Sequence, residues 1–158
     1  RTFGTKAFEK IYIMGLTERR LRLFMDAAEY IKEGMEKAAL SEVTQENTAR
    51  SMGSGSLDVY ATPAMTALME QAAAELAQEK LPEGWTSVGI ALSIEHTSAT
   101  PIGVLTRAVA KVTAVEGRKI SYEIKAFDEA GEIGHGTHER FAVESEKFMA
   151  KAQSKATH

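Results

Sequence analysis

Thr62, Glu70 and His96 are the residues whose types and spacing point to chemistry in this chain. A hydroxyl, a carboxylate and an imidazole are residue types suited to acyl transfer. Glu70 follows Thr62 by eight residues on an alanine-rich segment, and His96 follows Glu70 by 26 at the end of an apolar run. The chain has no cysteine, which excludes a thiol nucleophile, disulfides and thiolate metal ligands.

The element that must carry Thr62 and Glu70 reads as a helix from Thr62 to about Lys80. Thr62 suits the N-cap, and Pro63 suits the first helical position, where a missing N–H costs nothing. Met65, Leu68, Met69, Ala72 and Leu76 share one face, while Gln71, Glu75, Gln78 and Glu79 tend to the other. Thr62, Thr66 and Glu70 form a slowly drifting row beside the apolar stripe, which puts Glu70 at the core boundary. Alanine and methionine neighbours there would penalise its charged form and suit it to acid and base work. The plainer alternative is a carboxylate that reaches water beside Thr66. Eight residues advance a helix by about 12 Å, so Thr62 and Glu70 cannot touch, although both can face an elongated substrate.

His96 must be carried by a strand. Alternation puts it on the side of Ile90, Leu92 and Ile94, pointing inward before Pro101 ends the segment. Its plainer reading is a structural imidazole donating to a backbone carbonyl. Further strands are expected over Leu40–Thr48, Gly103–Val115, Lys119–Phe127 and Ile133–Glu144, with turns at Glu116–Gly117 and Asp128–Gly131 and a loop over Ser51–Ser56. A short helix should close the chain over Glu146–Lys155. One long helix followed by consecutive antiparallel strands implies an α+β fold in which a sheet wraps the helix.

Residues 1–37 read as an N-terminal extension to a domain over 38–158. Thr17 can cap a helix in which Leu21, Phe24, Met25, Ala28 and Ile31 recur at helical spacing. Arg19, Arg20, Arg22, Asp26 and Glu29 break any apolar core, so the stretch is not a secretory signal. With 19 basic and 22 acidic residues, the net charge of −3 offers no global attraction to nucleic acid. No apolar run approaches the roughly 20 residues that a spanning helix needs, so a soluble, non-membrane protein is expected.

Other residues carry weaker signals. His135 and His138 have opposite strand parity and diverge on a regular strand, so no metal site is expected. Gly134 and Gly136 mark a bulge or a close backbone approach rather than a phosphate loop. Arg140 suits a phosphate or a surface ion pair. Trp85 suits a packing role where a strand begins.

Taken in order, several short motifs resemble the hotdog-fold thioesterases, and within them the fluoroacetyl-CoA thioesterase-like group. They are Tyr60-Ala61-Thr62, Leu68-Met69-Glu70, Gly89 leading to His96-Thr97-Ser98-Ala99-Thr100-Pro101, and Gly136-Thr137-His138-Glu139-Arg140. The resemblance runs from about Lys32 to Lys155. It implies a hotdog fold and cleavage of an acyl-CoA thioester to a carboxylic acid and CoA. It implies Thr62, Glu70 and His96 as the catalytic set, Gly89 as a backbone donor to the thioester carbonyl, and Arg140 as a CoA contact. It also implies a cytoplasmic homodimer or higher homo-oligomer that binds acyl-CoA near the subunit interface and needs no metal or cofactor beyond the CoA of its substrate. Ser54 to Asp58 lacks the aromatic residues found there in the fluoroacetate-specialised enzyme, so fluoroacetyl-CoA does not follow as substrate. A hotdog hydratase or dehydratase and a noncatalytic acyl-CoA sensor or interaction module are the alternatives.

Overall fold

The computed structural model describes residues 14–15 and 25–156. Strand β1 (Glu36–Glu42) leads through the short helix α1 (Ala49–Met52) to the long helix α2 (Thr62–Lys80). Four strands follow, β2 (Trp85–His96), β3 (Leu105–Glu116), β4 (Lys119–Asp128) and β5 (Gly131–Glu144), and helix α3 (Ser145–Gln153) comes last. The strands form one antiparallel sheet in the order β1-β3-β4-β5-β2. The α+β architecture expected from the sequence, a sheet against one long helix, is the one present.

Local chemistry explains the connections. Glu116 pairs with Lys119, leaving a two-residue turn in which Gly117 has φ 62, a conformation that strains any L side chain. Asp128 pairs with Gly131, and the Asp128 carboxylate accepts the Ala130 N–H at 2.8 Å within that turn.

Helix α2 buries Met65, Leu68, Met69, Ala72, Ala73, Leu76 and Ala77 against the inner face of the sheet. Each fully buried leucine or methionine contributes about 1.5–3 kcal/mol, and the alanines let the sheet approach closely. Tyr122 on β4 donates its hydroxyl to the Ala73 carbonyl at 3.2 Å. Burial pushes that phenol up to about 12, so it remains a donor.

The structure differs from the sequence reading in four places. β1 ends at Glu42 rather than running through Thr48, because Asn47 folds the chain back: its side chain accepts the Thr44 N–H at 2.8 Å and donates to the Glu42 carbonyl at 2.9 Å. The loop expected over Ser51–Ser56 begins inside α1, whose N-cap Thr48 accepts the Ser51 N–H. Ala61, not Thr62, is the N-cap of α2, and Thr62 is its first residue with its hydroxyl turned to His96. Of the N-terminal helix expected from Thr17, most lies outside the described residues. Its described part holds only a 3-10 turn, Ala27–Glu29, capped by Asp26. Met25, Ala27 and Ile31 are buried in the core, and β1 begins at Glu36, so the core reaches back into the stretch read as an extension.

Candidate active site

Glu70 and Gly89 meet at the middle of α2 and the middle of β2. The register of β2 against β5 shifts between Gly89 and Ala91, which makes Ile90 an extra, bulged residue. The bulge has a consequence for facing. Gly89 and His96 are seven positions apart and would point to opposite faces of a regular strand. One extra residue restores them to the same inner face. It also removes Ile90 from the apolar row expected for it, and Ile90 is 52% exposed.

Gly89 leaves room for a carboxylate. A Cβ built there would lie 2.7 Å from Glu70 Oε2 and 3.2 Å from His138 Cε1, so only glycine lets Glu70 sit where it does. Arg140 Nη1 approaches the same oxygen at 3.5 Å, and His138 Nε2 lies 3.8 Å from it. The Glu70 side chain is 43% exposed. Its immediate polar neighbour is a guanidinium, in place of the purely apolar surroundings the helix pattern implies.

The other end of the site holds Thr62 and His96. Thr62 Oγ1 and His96 Nδ1 share a 2.8 Å hydrogen bond from the first residue of α2 to the last of β2. His96 Nε2 is buried and has no hydrogen-bond partner among the described residues. Burial pulls this imidazole below its ordinary value near 6.5, opposed in part by the Ser98 backbone, which keeps it neutral and able to accept a proton at neutral pH. Thr62 and Glu70 stand about 12 Å apart along the helix and do not touch, as the spacing implies.

Arg140, implied as a CoA contact, lies in the base of the site with its side chain 8% exposed. Its Nε donates to Ser87 Oγ at 2.7 Å, its Nη2 to the Ser87 carbonyl at 2.9 Å, and its Nη1 to His138 Nε2 at 3.2 Å. Burial is the first of the influences on it and lowers its value, opposed by Glu70. Ser87 carries no signal of its own in the sequence, and His138 is weighed there only as a metal ligand and as part of the Gly136–Arg140 motif. The available signal was parity, since Ser87 and Gly89 alternate together on β2 as His138 and Arg140 do on β5.

The remaining candidates separate by face. His135 lies 2.8 Å from Glu95 and 3.2 Å from Glu132 on the exposed side, while His138 is 1% exposed on the inner side. Gly136 sits where a Cβ would fall 2.0 Å from the Ser93 carbonyl, a close backbone approach. Trp85 is buried, with Arg118 over its ring at 5.0 Å.

Comparison with known proteins places this chain among thioesterases. The sequence profile of the family described as fluoroacetyl-CoA-specific thioesterase (FlK) matches residues 43–146. A fluoroacetyl-CoA thioesterase of Streptantibioticus cattleyicolor is 42% identical over 98 residues, which cover 62% of this chain and 70% of the relative. The solved structure of the fluoroacetyl-CoA thioesterase FlK superposes with a TM-score of 0.74 at 34% identity, over 79% of this chain and 97% of that one. A thioesterase superfamily member from Thermus thermophilus gives 0.74 at 30% identity, over 80% and 93%.

Proposed function

The chain belongs to the fluoroacetyl-CoA-specific thioesterase family and is an acyl-CoA thioesterase of the hotdog fold, and we propose that Glu70 and His96 carry its hydrolysis of the thioester. The observation that carries this assignment is the Glu70 carboxylate seated against Gly89 and Arg140 with more than two fifths of its surface open. Glu70 attacks the thioester carbonyl, expelling the CoA thiolate and leaving an anhydride that water then hydrolyses, or takes a proton from water that attacks the carbonyl itself. The backbone at the Gly89 bulge supplies a donor to the developing oxyanion, and neutral His96, oriented by Thr62, takes up the proton that water releases and passes it to the departing CoA thiolate. No further cofactor enters this scheme.

Within one protomer the two ends are too far apart to act on one carbonyl. Gly89 and His96 are separated by about 20 Å of strand. Among the described residues β2 has one neighbour, β5, and its other edge carries the exposed Ile90 and Leu92, an apolar edge of the kind that pairs with another chain. Antiparallel pairing of two β2 edges about a two-fold axis at Ser93, with the bulged Ile90 skipped, sets Gly89 of one protomer opposite His96 of its partner. We therefore read the working unit as a homodimer whose sites each combine Glu70 and Gly89 of one protomer with Thr62 and His96 of the other. Among the described residues no helix is long and apolar enough to cross a membrane, and an acyl-CoA substrate fits a cytoplasmic setting.

The test is turnover of a panel of acyl-CoAs, with the released acid and CoA identified by mass. Glu70→Ala and His96→Ala proteins that remain folded should each lose about 100-fold or more of kcat. Unchanged turnover in both, or binding without cleavage by the unsubstituted protein, contradicts the assignment. The acyl chain giving the highest kcat/KM identifies the substrate class.

A further inference from the structure

Ser87, His138 and Arg140 form a buried polar group behind Glu70 that the hydrolytic scheme does not use. Its hydrogen bonds can be directed. His138 Nδ1 faces the Ala91 carbonyl at 2.9 Å, and a carbonyl only accepts, so Nδ1 carries the hydrogen. Nε2 is then a lone pair in the neutral ring, and it accepts from Arg140 Nη1 at 3.2 Å. Protonating Nε2 would turn an acceptor into a donor facing a guanidinium donor. Ser87 holds the other edge of the guanidinium through Nε and Nη2. With both edges held, the remaining Nη1 hydrogen has one direction open to it, toward Glu70 Oε2 at 3.5 Å.

We propose that His138 is a positioning residue: a neutral Nδ1–H imidazole that serves as a fixed acceptor for Arg140, so that the guanidinium holds the Glu70 carboxylate against Gly89. The inference rests on the reading of Glu70 as the reacting carboxylate. The charged and titratable groups around the ring are Arg140 and Glu139 from β5, Glu70 from α2 and Tyr122 from β4, whose ring stacks on it at 6.1 Å. β2 contributes backbone. Burial is the largest influence and lowers the imidazole, and Arg140 lowers it further against the pull of the Ala91 carbonyl, Glu70 and Glu139. The ring does not act as a second base. Its Nε2 lone pair is occupied by Arg140.

The test uses the full chain and has two arms. Nitrogen-15 NMR of the unsubstituted protein should show His138 as the neutral Nδ1–H tautomer at pH 7, with no titration near 6.5. An Nε2–H tautomer, or titration at the ordinary value, overturns the proposal whether or not Glu70 is catalytic. In the second arm His138→Leu removes the acceptor, while in His138→Gln the amide oxygen replaces it. His138→Leu should lower kcat by about 10- to 100-fold with KM little changed, as a misaimed group does, and His138→Gln should recover most of that loss. In a Glu70→Gln background His138→Leu should cost nothing more. A further loss there, or no recovery with Gln, overturns the proposal. If Glu70→Gln leaves turnover intact, the assignment of Glu70 fails by itself, and the NMR arm still decides the tautomer.

Discussion

The two ends of the site are built differently. At the Glu70 end one carboxylate oxygen is approached by Arg140 and His138 and fits a space that only a glycine leaves open. At the His96 end a single hydrogen bond ties the ring to Thr62, and the buried Nε2 is left without a partner among the described residues. The first end is held in place by its own protomer, as a group that must be aimed at a carbonyl needs to be. The second offers an unsatisfied ring nitrogen, which costs stability unless something completes it. A substrate seated between protomers would supply that completion.

The largest expected effect beyond the catalytic pair comes from Gly89→Ala, which sharpens the contrast at the crowded end. The added methyl collides with the far end of a flexible side chain, so Glu70 swings away while the backbone stays. We expect about 100-fold loss of kcat with little change in the urea midpoint. A large loss of stability with kcat preserved would show that the glycine serves packing instead.

At the sparser end the effects should be smaller. Thr62→Val keeps the shape and removes the hydroxyl that binds His96, and about 10-fold loss of kcat is expected, with Thr62→Ser retaining most activity. Equal losses in Val and Ser would remove the hydrogen bond from the account.

The smallest effect is on acid stability. His96 and His138 both sit below their ordinary value when folded, with burial the first cause in each. As pH falls through about 6.5 the unfolded chain takes up protons that the folded chain refuses, so stability is full above that value and declines toward the lower folded values. Urea unfolding at pH 7.5, 6.5 and 5.5 should show this decline, and His138→Gln should flatten part of it. A decline that His138→Gln leaves unaltered would contradict the burial of a neutral ring there.

Much of this was legible in the sequence, and the reasons differ by element. α2 places its apolar residues at helical spacing with Pro63 at its start, and β3, β4 and β5 alternate between turn residues, so local pattern and tertiary packing agree. β1 was displaced because its alternation buries only Ala39 fully, while the turn at Thr44 depends on the Asn47 side chain. The inner facing of His96 was read correctly from a parity that counted Ile90, although the bulge takes Ile90 off that face and brings Gly89 onto it. Ser87 gives no signal and His138 reads only as a rejected metal ligand, because each is an ordinary residue until two strands and a helix bring it against Arg140 and Glu70. The role of Arg140 turned on burial, which its spacing from other motifs does not encode.

The central claim, that one working site draws its two ends from different protomers, is tested most directly by mixing two inactive variants. Glu70→Ala and His96→Ala proteins are denatured together, refolded, and assayed for CoA release. A mixed dimer has one site with both residues intact and one with neither, so random pairing should restore about a quarter of the unsubstituted activity. No recovery above the separate variants, from protein shown to have exchanged subunits, would contradict the shared site and return Glu70 and His96 to a single chain.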